Sequence, residues 1–158
     1  MEQIIQLNSQ AKLSEHFTLG EMTKSNSHPE VYNIPSHEAI ANLKRLCGWL
    51  EELRKRYNER YGVGEEPIRI NSGYRSPQLN RAIHGNANSN HMTGCACDIR
   101  VSGMEQALRY AVILMDYADE SKQEFDELLI EKNRYGAIWV HFAVRPKENR
   151  RKILFINA

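Results

Sequence analysis

The chain has 158 residues, 41% of them hydrophobic, and its 21 Lys and Arg nearly balance 20 Asp and Glu, for a formal net charge of +1. That length suits one domain, residues 1–158, able to bury about 70% of its unfolded surface. The near-neutral balance gives no electrostatic footing for nucleic acid or an anionic membrane surface, and no stretch approaches the ~20 consecutive apolar residues of a membrane span.

In chain order, residues 13–22 hold two helix-start patterns, Ser14 and Thr18 each preceding acidic residues. His16, His28 and His37 are scattered through a polar, Pro-containing stretch and read as surface or capping positions. Ser36 opens a strong helix, with Ile40, Leu43, Leu46, Cys47, Leu50, Leu53 and Tyr57 recurring at three- and four-residue spacing. Glu51, Glu52, Arg54, Lys55, Arg56 and Glu59 fill its other face as solvated surface, and Tyr61-Gly62-Val63-Gly64 ends it. Residues 67–71 read as a strand leading into Ser72-Gly73-Tyr74-Arg75-Ser76-Pro77, and residues 77–83 as a short helix with Pro at its first position.

A polar loop, residues 84–90, precedes a strand over 95–101. A second helix starts after Ser102, its cap, with Met104, Ala107, Leu108, Ala111, Val112, Leu114 and Met115 apolar. Residues 125–131 and 137–144 form an antiparallel hairpin around Lys132-Asn133-Arg134-Tyr135-Gly136. After Arg145-Pro146, residues 147–156 supply a last edge strand. The fold class is α+β: helices on one face of a small, mostly antiparallel sheet, with the chemistry on the other.

Three cysteines are present. Cys95 and Cys97, flanking Ala96 on a strand, are badly placed for a mutual disulfide. They also lack the Cys-x2–4-Cys spacing and second pair of a thiolate metal site, so all three, Cys47 included, read as small buried apolar residues.

The chemistry concentrates in Ser89-Asn90-His91-Met92-Thr93-Gly94-Cys95-Ala96-Cys97-Asp98, where an imidazole and a carboxylate stand seven residues apart across a glycine. Both are zinc ligands, and a catalytic zinc needs three protein ligands with one position open. The third is read as His141, the polar interruption in Ala137-Ile138-Trp139-Val140-His141-Phe142-Ala143-Val144.

Ser-x-His-x-x-Gly-x-Ala-x-Asp at 89–98, Ser72-Gly73-Tyr74-Arg75-Ser76-Pro77 before it and Trp139-Val140-His141 after it together resemble the zinc D-alanyl-D-alanine carboxypeptidase family, from about His16 to about Val144. The resemblance implies a hedgehog-like zinc fold and a metallopeptidase of bacterial cell-wall peptides, a family that includes phage lysins. It further implies that Arg75 binds a substrate carboxylate or the developing oxyanion, with Ser89 near the substrate. A planar guanidinium fork suits the first role; a structural reading of Ser89, holding its loop by a backbone bond, stands beside the second. The partner expected is a peptidoglycan peptide, and the protein is expected to act as a monomer. Without a signal peptide at residues 1–8, synthesis as a soluble cytoplasmic chain is expected, with release to the wall by a membrane-permeabilising agent. Competing readings are an endolysin cutting inside the stem peptide, a non-catalytic hedgehog-like zinc-stabilised binding domain, and a structural protein whose histidines are core.

A general base is not where many metallopeptidases place a glutamate, since the position three before His141 is Ile138. A hairpin with Glu131 opposite Ala137 pairs Leu129 with Trp139 and Glu127 with His141, which puts both glutamates on the metal face and Leu128 and Ile130 on the core face. Resemblance to the family's strand favours Glu131 as the base, with Glu127 in reserve.

Overall fold

The computed structural model describes residues 8–62 and 64–157, so the reading of the first seven residues lies outside them. Its helices are α1 (Leu19–Thr23), α2 (His37–Tyr61), α3 (Pro77–Ala82) and α4 (Met104–Ser121). Its strands are β1 (Ile70–Ser72), β2 (Ala96–Arg100), β3 (Glu127–Lys132), β4 (Ile138–Ala143) and β5 (Lys152–Asn157). The architecture is α+β, as the sequence pattern requires.

The long helix α2 forms where the apolar period says it should. The Ser36 hydroxyl accepts from the Ala39 N–H at 3.1 Å, a cap worth about 1 kcal/mol. Leu43, Leu46, Leu50 and Leu53 are buried, each contributing roughly 1.5–3 kcal/mol, and on the outer side Arg56 pairs with Glu52 and Glu120. Only Thr18 starts a helix near the amino terminus, capping α1; the Ser14 hydroxyl instead donates to Glu51 of α2. Ser102 does not cap α4. Gly103 takes that position without a side-chain bond, and the Gln106 side chain reaches back to the Ser102 N–H at 2.7 Å, so the helix entry is held from its own first turn.

The sheet order is β1-β2-β4-β3-β5, antiparallel throughout except for β3 with β5. The parallel pair has a simple cause. Strand β4 ends beside the start of β3, at the pair Glu127 with Ala143, so the chain needs only to cross that end of β3 to lay β5 along its far edge. The strand expected over 67–71 is shorter and later, at Ile70–Ser72: Pro67 has no N–H to give a ladder, and Arg69 keeps one link, its carbonyl accepting from the Arg100 N–H at 2.9 Å.

The β3–β4 register differs from the sequence expectation. Glu131 pairs with Trp139, Leu129 with His141 and Glu127 with Ala143, a slip of two from the expected pairs Glu131–Ala137, Leu129–Trp139 and Glu127–His141. The turn is the reason. Asn133 Oδ1 accepts from the N–H groups of Tyr135 and Ala137, and Gly136 takes the left-handed conformation at φ 87°, so the loop uses residues 133–137 and the ladder resumes at Lys132 with Ile138. Because side chains alternate with period two, a slip of two leaves every residue on its expected face.

Cys97, Ile99, Leu128, Val140 and Phe142 point to the helix side and belong to one hydrophobic cluster with α2 and α4. Trp49 of α2 stands edge-on to Tyr117 at 4.9 Å and tilted on Phe142 at 5.4 Å between ring centroids. The alternate set, Asp98, Glu127, Glu131 and His141, is left on the other face.

Candidate metal centre

His91 sits in a single 3-10 turn, Asn90–Thr93, between β1 and β2. Ser89 caps that turn, its hydroxyl accepting from the His91 N–H at 3.1 Å, so this hydroxyl holds the loop by a backbone bond. Gly94 closes it at φ 77°, and a Cβ there would overlap the Ala39 carbonyl oxygen of α2. Glycine alone satisfies both the left-handed backbone and that close approach, which lets the turn press on α2 and deliver His91 beside β2. The Asn42 side chain adds a bond to the Thr93 carbonyl at 2.9 Å.

Asp98 and His141 are paired neighbours on β2 and β4. With His91 they form a group whose ligand atoms all lie within 4.8 Å of one another. Asp98 Oδ1 is 3.3 Å from His91 Nε2 and 3.1 Å from His141 Nδ1. The ring nitrogens are told apart by their other partners. His91 Nδ1 lies 2.6 Å from the Gly73 carbonyl oxygen, which can only accept, so Nδ1 donates there and Nε2 is the nitrogen turned toward Asp98. His141 Nε2 lies 3.0 Å from Glu127 Oε1, leaving Nδ1 to face Asp98.

The donor set fits a cation. His91 Nε2 is the buried side-chain polar atom that finds no hydrogen-bond partner among the described residues, and a buried polar atom without a partner is costly. Burial pushes the Asp98 carboxyl upward, but His91 and His141 outweigh it and hold that group well below the usual carboxylate range. For His141, burial lowers the ring's pKa and the bonds to Asp98 and Glu127 raise it more, to about 9. The protonated ring thus directs one N–H to each carboxylate, and the proton on Nδ1, facing Asp98, is the one a divalent ion would displace.

Glu131 and Arg75 border the same space. The Trp139 indole N–H donates to Glu131 Oε2, and burial, reinforced by the negative charge of Asp98, pushes the Glu131 carboxyl above its ordinary value. Glu127 behaves oppositely: the His141 bond overcomes burial and brings its carboxyl down to about 2. The Arg75 guanidinium reaches Asp98 Oδ2 at 3.3 Å, Ser72 Oγ at 3.2 Å and Asn80 Oδ1 at 3.4 Å. All three contacts are longer than the usual ~2.9–3.0 Å, so the fork is held loosely.

The structure brings together His91, Asp98, His141, Arg75, Glu127 and Glu131, whereas His16 bonds Glu51 and His28 bonds Ser27. The cysteines are free and buried, and burial raises the Cys47 thiol to about 12. Sequence reasoning missed Asn90 and Asp126, which lie directly behind the site; the signal was a polar residue at the head of an apolar strand and an asparagine adjoining the histidine.

A family model for peptidase M15 matches residues 15–128. The chain belongs to the peptidase M15 family. Zinc D-Ala-D-Ala carboxypeptidase of Streptomyces albus G is 31% identical to it over 96 residues, 61% of this chain and 35% of that protein; the chain thus spans about a third of that relative's length. The peptidase M15 match takes in Arg75, Ser89, His91, Asp98 and Glu127 and stops before Glu131 and His141, which the β3–β4 hairpin brings to the same face.

Proposed function

We propose that this peptidase M15 chain is a zinc-dependent hydrolase of peptidoglycan peptides containing D-amino acids, with D-Ala-D-Ala carboxypeptidase chemistry. The observation that carries the reading is the buried, unpartnered Nε2 of His91 facing Asp98 Oδ1, with a second imidazole nitrogen on the same oxygen. His91, Asp98 and His141 would hold the zinc, which when bound would supply Lewis acidity at a scissile carbonyl and lower the pKa of the attacking water.

The chain's own groups do the rest. Glu131 takes the proton of the attacking water at its carboxylate and returns it to the leaving amine. Arg75 binds a substrate carboxylate or the oxyanion with the fork it turns toward Asp98. Ser89 supports the site through the bond its hydroxyl accepts from the His91 N–H, which holds the turn that presents the imidazole.

The test pairs metal analysis with product analysis. Purified protein should hold one zinc, lost in His91→Ala, Asp98→Ala and His141→Ala and retained in Cys95→Ala and Cys97→Ala. Digestion of purified peptidoglycan followed by mass spectrometry should show free D-Ala; a cut inside the stem peptide would make the enzyme an endopeptidase instead. Stoichiometric zinc with no new peptide ends from wall or from model D-Ala-D-Ala peptides would sink the catalytic reading in favour of a zinc-stabilised binding domain.

A further inference from the structure

The two glutamates on the site face are engaged very differently. Glu127 Oε1 accepts from His141 Nε2 at 3.0 Å and from Asn90 Nδ2 at 2.7 Å. Asn90 Nδ2 also donates to Asp126 Oδ2 at 2.8 Å, while Asn90 Oδ1 accepts from Arg145 Nε at 3.0 Å. The amide is thereby fixed in one orientation, because the reversed one would aim its oxygen at two carboxylates and its NH2 at a guanidinium. Behind it Asp126 is fully buried and accepts from the Arg150 backbone N–H, Nε and Nη2 at 2.8–3.0 Å. The Asp126–Arg150 pair anchors the amide.

Asn90 is also the residue before His91, in the turn that carries that ligand. One side chain therefore joins the two histidines: to His91 through the backbone, and to His141 through Glu127. We infer that Asn90 and Glu127 are positioning residues for the metal, Glu127 orienting His141 with Nδ1 toward Asp98 and Asn90 fixing Glu127 relative to His91. The inference rests on the reading of His91, Asp98 and His141 as the metal-holding set. It also gives Glu127 a role other than that of the base, since its Oε1 already accepts from two donors. A carboxylate accepting from the second nitrogen of a ligating imidazole makes that imidazole a better donor and fixes its tautomer.

Zinc affinity of the metal-free full chain, measured by competition with a chromogenic chelator, tests this without relying on turnover. Glu127→Ala and Asn90→Ala should each weaken zinc binding about 10–100-fold. Glu127→Gln, which keeps an oxygen able to accept both bonds, should lose clearly less than Glu127→Ala. The double Glu127→Ala/Asn90→Ala variant should fall close to the weaker single variant, because both changes break one linkage. At saturating zinc, Glu127→Ala should regain a kcat within about tenfold of wild type, as a positioning residue allows and a base does not. Should Glu127→Ala fail to fold, Glu127→Gln and Asn90→Ala carry the test, with apo Tm and far-UV circular dichroism as the folding control. Wild-type affinity in the folded variants would overturn the inference and leave the metal site standing. Wild-type affinity with turnover abolished at saturating zinc would overturn it in favour of Glu127 as base. Failure of the wild type to bind zinc at all would overturn the site reading along with it.

Discussion

Asp126→Ala is the perturbation that most directly weighs the network behind the site. Its carboxylate is fully buried and receives the Arg150 backbone N–H, Arg150 Nε and Nη2, and Asn90 Nδ2, all within 3.0 Å, with Arg145 Nε at 3.2 Å. Breaking a buried ion pair by deleting one partner costs about 3–5 kcal/mol, most of it from the charge left behind. Here the side chain of Arg150 is 47% exposed and that of Arg145 is 32% exposed, so both guanidiniums rehydrate and the lower end, about 3 kcal/mol, applies. For a chain of this size that is a fall in Tm of about 6–12 °C. Thermal unfolding of both proteins in a chelator, followed by circular dichroism, isolates this from any effect of metal. The pH dependence has a definite sign. Burial pushes the Asp126 carboxyl up, but the bonds from Arg150 and Asn90 outweigh it and hold it below its ordinary value. A group depressed in the folded state contributes stability above its unfolded pKa of about 3.9 and loses it as pH falls through the folded value. The gap between wild type and variant should therefore be full at pH 7 and shrink below about pH 4. A Tm difference under about 2 °C at neutral pH, or a gap that widens on acidification, would refute the reasoning.

Glu131→Gln should keep zinc and the wild-type Tm within a few degrees while losing at least about two orders of magnitude in kcat, the loss of a positioned proton acceptor amounting to roughly 3–5 kcal/mol of barrier; near-wild-type turnover would place the base elsewhere. Arg75→Lys keeps the charge beside Asp98 but loses the planar fork, so kcat/KM on D-Ala-D-Ala peptides should fall by about tenfold or more with little change in Tm. An unchanged kcat/KM would leave Arg75 only its bonds to Asp98, Ser72 and Asn80.

Local pattern made much of this protein legible. The three- and four-residue recurrence from Ile40 to Tyr57 and the Ser36 cap specify α2, and the alternation in β3 and β4 specifies which side chains leave the core. That alternation survived a register error of two, because a face depends only on parity, whereas a register depends on how Asn133 and Gly136 close the turn. The His91, Asp98 and His141 set was visible as residue types and spacing, and the fold brings it within 4.8 Å. The choice of ring nitrogen was not visible. It is made by a Gly73 carbonyl 18 residues away from His91 and by Glu127, 14 residues from His141. The same holds for Asn90, whose role is set by partners 36, 37 and 55 residues distant, and for Arg150, which pairs with Asp126, 24 residues before it. Periodicity is a property of consecutive residues, so sequence alone carries it; a hydrogen-bond acceptor becomes specific only when the folded chain brings a particular donor to it and removes the competing water.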